Sequence, residues 1–255
     1  MPAPNSFVWY ELMTTDMDAA DAFYRAVIGW GSQDSGMPEM RYTIMSAGDK
    51  MVAGLMAIPE EVREAGGRPA WLGYIGTPDV DAATARLSEA GGSLYRPPED
   101  IPDVGRFSVV ADPQGAVFML FTPKGGDASP APPGTPGHVG WHELYAADWQ
   151  KAFDFYASQF GWTKGDAIDM GEMGTYQLFA AGGPAIGGMM NKPDMVPMPA
   201  WMFYFNVDAA DAAAARVTEN GGQVLIAPMQ VPGGSWIIQG MDPQGAMFAL
   251  VAPKR

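Results

Sequence analysis

The 255-residue chain contains no cysteine, which excludes disulfides, thiolate nucleophiles and thiolate metal sites and leaves the redox compartment open. Histidine occurs only at His138 and His142. Basic residues are scarce: 15 Lys and Arg stand against 29 Asp and Glu, a net charge of -14. Such a surface repels phosphates, so neither nucleic acid nor an anionic membrane is expected as a partner. No apolar stretch approaches bilayer length, and Met1-Pro2-Ala3-Pro4-Asn5 carries neither a basic segment nor an apolar leader core. A cytoplasmic location is therefore the expectation. The glycines at Gly182-Gly183 and Gly187-Gly188 form no phosphate-binding fingerprint and read as turns and bulges. No nucleophilic-serine motif is present. What remains is a soluble protein acting on a small molecule.

The chain is an internal duplication. Trp9-Tyr10-Glu11-Leu12 with Asp16 returns as Trp141-His142-Glu143-Leu144 with Asp148, an offset of 132 (141 minus 9). Phe23-Tyr24 and Gly29-Trp30 repeat at that offset as Phe155-Tyr156 and Gly161-Trp162. Farther on, Pro69-Ala70-Trp71 and Asp112-Pro113-Gln114-Gly115 recur as Pro199-Ala200-Trp201 and Asp242-Pro243-Gln244-Gly245, now 130 apart (242 minus 112). Long self-similarity of this kind marks a structural unit, here two domains of roughly 125 residues. Their boundary falls in the Pro/Gly-rich linker 125–137, giving domains 1–124 and 138–255.

Within a copy the periodicity alternates. Phe7–Met13 reads as a strand, and Asp16 caps a helix over Met17–Val27 that Gly29 ends. Strand-like runs follow at Arg41–Met45 and Met51–Met56. The pattern then restarts: Trp71–Ile75 is a strand, Val80–Glu89 a helix, and Phe107–Val110 with Ala116–Phe121 a hairpin around the Asp112 turn. Each domain thus holds two β-α-β-β-β modules, an α+β fold.

These features, carried by Asp16, Phe23-Tyr24, Gly29-Trp30, Asp79-Val80-Asp81, Gly91-Gly92 and the Asp112 turn, resemble the vicinal oxygen chelate superfamily of glyoxalases, bleomycin-resistance proteins and extradiol dioxygenases. The resemblance implies tandem domains whose curled mixed sheets surround a ligand or metal cavity. Within that family metal ligands come from the first, fifth, eighth and sometimes fourth strands. By alignment these positions fall on Trp9 and Trp141 (or, shifted by two, Glu11 and Glu143), near Met56 and Met190, on Trp71 and Trp201, and on Met119 and Ala249. A divalent ion needs about three N or O ligands. These strands offer at most one, so neither a metal site nor a cofactor is expected.

Strand alternation gives Trp9, Glu11 and Met13 one face, and Trp141, Glu143 and Tyr145 the matching one. With the family geometry, Trp9, Met13, Met56, Trp71 and Met119 would wall one cavity, and Trp141, Tyr145, Met190 and Trp201 the other. Such walls suit a flat or flexible apolar ligand. Glu11 and Glu143 would each supply a general base, an anchor for a ligand amine, or an acceptor for structural hydrogen bonds. The tryptophans would stack on ligand or fill the core. His142 should point to the opposite face and serve packing. Arg41 and Arg106 lack counterparts in the second copy and read as solvated strand-end residues or anion contacts of the first cavity. The leading expectation is metal-independent binding of a small hydrophobic or aromatic molecule. The alternatives are a lyase or isomerase using the glutamates, or a metal-dependent glyoxalase- or dioxygenase-like enzyme. The protein would be a pseudo-twofold monomer or a homodimer.

Overall fold

The computed structural model describes residues 5–37, 40–125, 131–194 and 196–255. In the first copy the chain runs β1 (Phe7–Thr14), α1 (Met17–Ile28), β2 (Gly31–Asp34), β3 (Tyr42–Ala47), β4 (Lys50–Ala57), α2 (Glu60–Glu64), β5 (Ala70–Gly76), α3 (Val80–Glu89), β6 (Ser93–Ile101), β7 (Gly105–Ala111) and β8 (Val117–Pro123). The second copy contributes β9 (Val139–Ala146), α4 (Trp149–Phe160), β10 (Thr163–Asp169), a 3₁₀ turn at Gly171–Met173, β11 (Thr175–Ala180) and β12 (Ala185–Asn191). It ends with β13 (Ala200–Asn206), α5 (Ala210–Glu219), β14 (Gln223–Gln230), β15 (Trp236–Met241) and β16 (Met247–Ala252).

Each copy forms an open eight-stranded mixed sheet, ordered β2-β3-β4-β1-β5-β8-β7-β6 in the first and β10-β11-β12-β9-β13-β16-β15-β14 in the second. The two β-α-β-β-β modules per copy are present. Of the linker expected at 125–137, residues 126–130 lie outside the described residues.

The first helix of each copy shows why the local sequence folds as it does. The Asp16 side chain accepts from the Ala19 amide at 3.0 Å, and Gly29 closes α1 in the left-handed region at φ 90°. Asp148 and Gly161 repeat both devices around α4. A side-chain acceptor at the N-cap satisfies a helix-end amide, and glycine alone enters positive φ without a Cβ penalty. The inward faces of α1 and α4 carry Phe23-Tyr24 and Phe155-Tyr156, all buried.

The chain divides into two compact units that cut across the repeat. One comprises Met1–Val8, Gly73–Pro130 and His142–Trp201; the other comprises Trp9–Leu72, Ala131–Trp141 and Met202–Arg255. Each unit therefore joins a module of one copy to a module of the other. In the unit beginning at Trp9, the Arg216 Nε of α5 donates to the Val27 carbonyl of α1 at 2.9 Å. Its aromatic core includes Phe23, Tyr24, Trp30, Trp71, Phe205 and Phe248. In the unit beginning at Met1, Gln114 and Asp148 bond reciprocally: Gln114 Nε2 donates to the Asp148 carbonyl and the Asp148 amide donates to Gln114 Oε1, both at 2.8 Å. Its core gathers Phe118, Tyr156, Phe160, Trp162, Phe179 and Trp201.

Candidate functional site

Glu11 lies at the middle of β1, 4% exposed, opposite Gly54 of the parallel strand β4. The Tyr42 hydroxyl donates to Glu11 Oε2 at 2.9 Å and accepts from Trp9 Nε1 at 3.1 Å. This route exists because residue 54 is glycine: a Cβ there would sit 1.7 Å from the Tyr42 hydroxyl and 2.3 Å from its ring. Burial, with the adjacent Glu11 carboxylate adding to it, pushes the Tyr42 phenol well above its ordinary range. Tyr42 therefore holds its proton and acts as a donor. Two residues farther along this strand pair Met13 is in register with Met56, and Tyr42 is itself in register with Met56. Trp9, Glu11, Met13, Tyr42 and Met56 thus gather on one face.

The same arrangement recurs in the other unit. The Tyr176 hydroxyl donates to Glu143 Oε2 at 3.0 Å. Glu143 is in register with Gly188, where a Cβ would meet the Tyr176 ring at 2.3 Å. Two residues farther along, Tyr145 and Met190 are in register, both buried. Glu143, Tyr145, Tyr176 and Met190 share this face, and the half-buried Trp141 lies on β9 with the same parity as Glu143.

Trp71 and Trp201 require a correction. Trp71 Nε1 donates to the Tyr24 hydroxyl at 2.9 Å, and Trp201 Nε1 donates to Tyr156 at 3.0 Å. Each indole is thus part of a helix-to-sheet core, tied to a tyrosine that projects from α1 or α4. Strand parity explains the outcome: Tyr74, three residues beyond Trp71 on β5, is the residue registered with Met119 of β8. Three steps along a strand reverse the face, so Trp71 and Met119 cannot line one wall.

Sequence reasoning also missed residues. Tyr42 and Tyr176 went unremarked, although each precedes its glycine by twelve positions (54 minus 42, 188 minus 176) in both copies. That matched spacing was the available signal. A buried polar pair in the second copy was missed as well: Gln239 Nε2 donates to the Tyr204 hydroxyl at 2.7 Å, and both residues are in register with Ala249. The first copy has Tyr74, Val109 and Met119 in those places. No local pattern distinguished Gln239 from any other strand glutamine.

His142 stacks on Phe7 with ring centroids 4.4 Å apart, and its Nδ1 lies 2.7 Å from the Ile186 carbonyl. A carbonyl only accepts, so Nδ1 carries the proton. Burial pushes the imidazole down to about 4. Arg41 pairs with Asp18, and Arg106 donates to both oxygens of Asp81 at 2.7 and 3.0 Å and to Asp100 at 3.0 Å. Trp30 and Trp162 donate to the carbonyls of Gly137 and Asn5 at 2.8 and 2.6 Å and anchor their helix ends.

A divalent ion of the kind the fold family uses does not fit these residues. The first-strand carboxylates already accept from Tyr42 and Tyr176, and the eighth-strand positions are Met119 and Ala249. Among the described residues there is no group of three or more His, Cys, Asp and Glu arranged to hold a metal.

A fold of paired β-α-β-β-β modules with carboxylates on the first strand of each copy defines a glyoxalase-like class of protein. The model of the Glyoxalase/Bleomycin resistance protein/Dioxygenase superfamily matches residues 6–120 and 135–250, and the chain belongs to that superfamily. It is 34% identical over 248 residues to a Mycobacterium tuberculosis protein named "Putative glyoxylase CFP32", covering 96% of this chain and 94% of that one. It is 31% identical over 261 residues to the anthracycline biosynthesis protein DnrV of Streptomyces peucetius, covering 98% and 94%. Among solved structures, the Mn(II)-bound glyoxalase of Novosphingobium aromaticivorans superposes with a TM-score of 0.68 at 17% identity, over 98% of this chain and 83% of that one. The 2,3-dioxygenase LapB of Pseudomonas sp. KL28 gives 0.68 at 13% identity, over 98% and 93%. These two likenesses concern the fold alone. No helix among the described residues is long and apolar enough to cross a membrane.

Proposed function

We propose that the protein binds a small hydrophobic or aromatic molecule without the aid of a metal ion, on the faces that carry Glu11 and Glu143. The observation that carries this reading is the repeated wall: a buried carboxylate capped by a tyrosine, next to a registered pair of soft or aromatic side chains, Met13 with Met56 and Tyr145 with Met190. Thioethers and aromatic faces accommodate flat apolar ligands with little demand on shape. The tyrosine-capped carboxylate supplies one fixed polar point on an otherwise apolar surface. The relatives named for anthracycline biosynthesis support a fused-ring aromatic as the ligand class.

The test is a thermal-shift and tryptophan-fluorescence titration with neutral anthraquinones, with and without EDTA. Binding that raises the melting temperature equally in both conditions, and that Trp9→Ala with Tyr145→Ala weakens at least about tenfold, is the expected result. Binding that requires stoichiometric added metal, or that ignores both substitutions, would overturn the proposal.

A further inference from the structure

The two copies close their sheets with walls of opposite chemistry. In the second copy Tyr204 of β13, Ala249 of β16, Gln239 of β15 and Ile226 of β14 lie in one row across the strands. Neighbouring strands stand about 4.8 Å apart. Tyr204 and Gln239 are two strands from each other, yet Gln239 Nε2 reaches the Tyr204 hydroxyl at 2.7 Å. They meet above Ala249, whose single methyl is short enough to let both side chains pass. Gln239 is 7% and Tyr204 2% exposed. Around this buried polar pair, Ile237 and Met241 share the face of Gln239 by strand alternation. Met229 is registered with Ile237 and Met247 with Met241, and none of these four is buried.

The same row in the first copy reads Tyr74, Met119, Val109 and Arg96. A methionine replaces the alanine, and Val109 has no polar side-chain atom. Glu99, registered with Phe107, holds the place that Met229 takes beside Ile237. Arg96 pairs with Glu99, and its guanidinium lies over the Phe107 ring at 5.2 Å. The first wall is thus apolar at its centre and charged at its edge; the second is polar at its centre and apolar at its edge. From Asn220 to Pro253 the one charged residue is Asp242, which is buried and bonded to Tyr24. An apolar surface around a few fixed polar groups is the construction of a small-molecule site.

We infer that the wall of β14, β15 and β16 selects an uncharged planar molecule bearing a hydrogen-bonding oxygen, and that the matching wall of the first copy does not. The ligand's rings lie against Met229, Met241 and Met247, and its oxygen bonds at the Gln239–Tyr204 pair. A carboxamide and a phenol offer both donors and acceptors, so a carbonyl or hydroxyl oxygen is matched there. Against Met119 and Val109 the same oxygen would lose its water without a partner, which is costly. The inference rests on the function proposed above for the apolar body, and it adds the residues that choose the polar group and the copy.

The experiment titrates the full chain, its methionines carrying ¹³C methyl groups, with 9-fluorenone and with fluorene, the same ring system without the oxygen. Single Met→Leu variants at Met13, Met56, Met190, Met229 and Met247 assign the resonances. The expected result is that fluorenone moves the Met229 and Met247 signals and binds about tenfold more tightly than fluorene. Gln239→Val/Ala249→Met, which installs the first copy's pair, should abolish that preference. Should this variant not fold, Met229→Glu carries the test: it sets the first copy's carboxylate on the exposed edge and should weaken fluorenone about fivefold. A preference that survives the double variant, or fluorenone affinity unchanged by Met229→Glu, would overturn the inference. If fluorenone moves Met13, Met56 or Met190 and leaves Met229 and Met247 unmoved, the inference fails while the proposed function stands. If Met229 and Met247 respond and Met13, Met56 and Met190 do not, the inference stands and the proposed function fails.

Discussion

Tyr24 donates its hydroxyl proton to the Asp242 carboxylate at 3.0 Å across 218 positions of sequence. Tyr156 does the same to Asp112 at 3.2 Å. Each aspartate also accepts from two backbone amides of its own turn through Oδ1. Burial pushes both carboxyls up, an effect those hydrogen bonds offset in part. The turn of one copy is thereby tied to the first helix of the other, and the tryptophan of the fifth strand completes each relay.

Tyr24→Phe removes the acceptor of Trp71 Nε1 and the donor to Asp242 Oδ2 together, both in a buried setting. Leaving such groups unpaired costs about 1–3 kcal/mol. A denaturant melt should show that loss with an unchanged slope. A variant as stable as the wild type would show that the relay contributes nothing.

Gly54→Ala places a Cβ where the Tyr42 ring lies, and overpacking of this kind costs roughly 1–3 kcal/mol. The Tyr42–Glu11 hydrogen bond should break, and Tyr42→Leu in the same chain should restore part of the stability by removing the ring. Chemical denaturation of the two variants checks this: a double variant no more stable than Gly54→Ala alone would locate the strain elsewhere.

His142 gives an acid limb whose sign is fixed. Its folded pKa, about 4, lies below the ordinary value of 6.5, so between those values the unfolded chain binds the extra proton. Stability should therefore fall as pH drops from about 6.5 to about 4, by about 3 kcal/mol in total, and the contribution should level off below that. Urea melts across this range, with His142→Phe as the comparison, isolate it. Parallel pH profiles for the two proteins would mean that the imidazole does not titrate in this way.

Gln239 and Ala249 should be coupled, because they are directly registered across β15 and β16. Gln239→Val takes a donor from the buried Tyr204 hydroxyl and should cost about 1–3 kcal/mol. Ala249→Met, which completes the Val109–Met119 arrangement of the first copy, should recover some of the lost volume. A double-mutant cycle should then give an interaction of at least about 0.5 kcal/mol. Strict additivity would contradict the packing argument.

Much of this is legible in the sequence. Asp16, Gly29, Asp148 and Gly161 state their roles locally, since a cap needs only a side-chain acceptor and a residue tolerant of positive φ. Helix α3 appears over the range its periodicity marks, Val80–Glu89. The alternation that joined Trp9, Glu11 and Met13 on one face also holds. Less legible were β2 and the short α2, whose exposed residues carry no hydrophobic period. The face of Trp71 was misjudged because a buried tryptophan looks alike on either side of a sheet.

The duplication, the module order and the weakness of the metal-ligand set follow from the sequence by itself, because repeats, caps and missing donor types are properties of residue identity. Which residues meet was decided only by the tertiary structure. Tyr42 reaches Glu11 over a glycine on a neighbouring strand, and Tyr24 finds Asp242 on the opposite copy. Contacts of such separation depend on register and on the pairing of modules, and neither leaves a periodic trace along the chain.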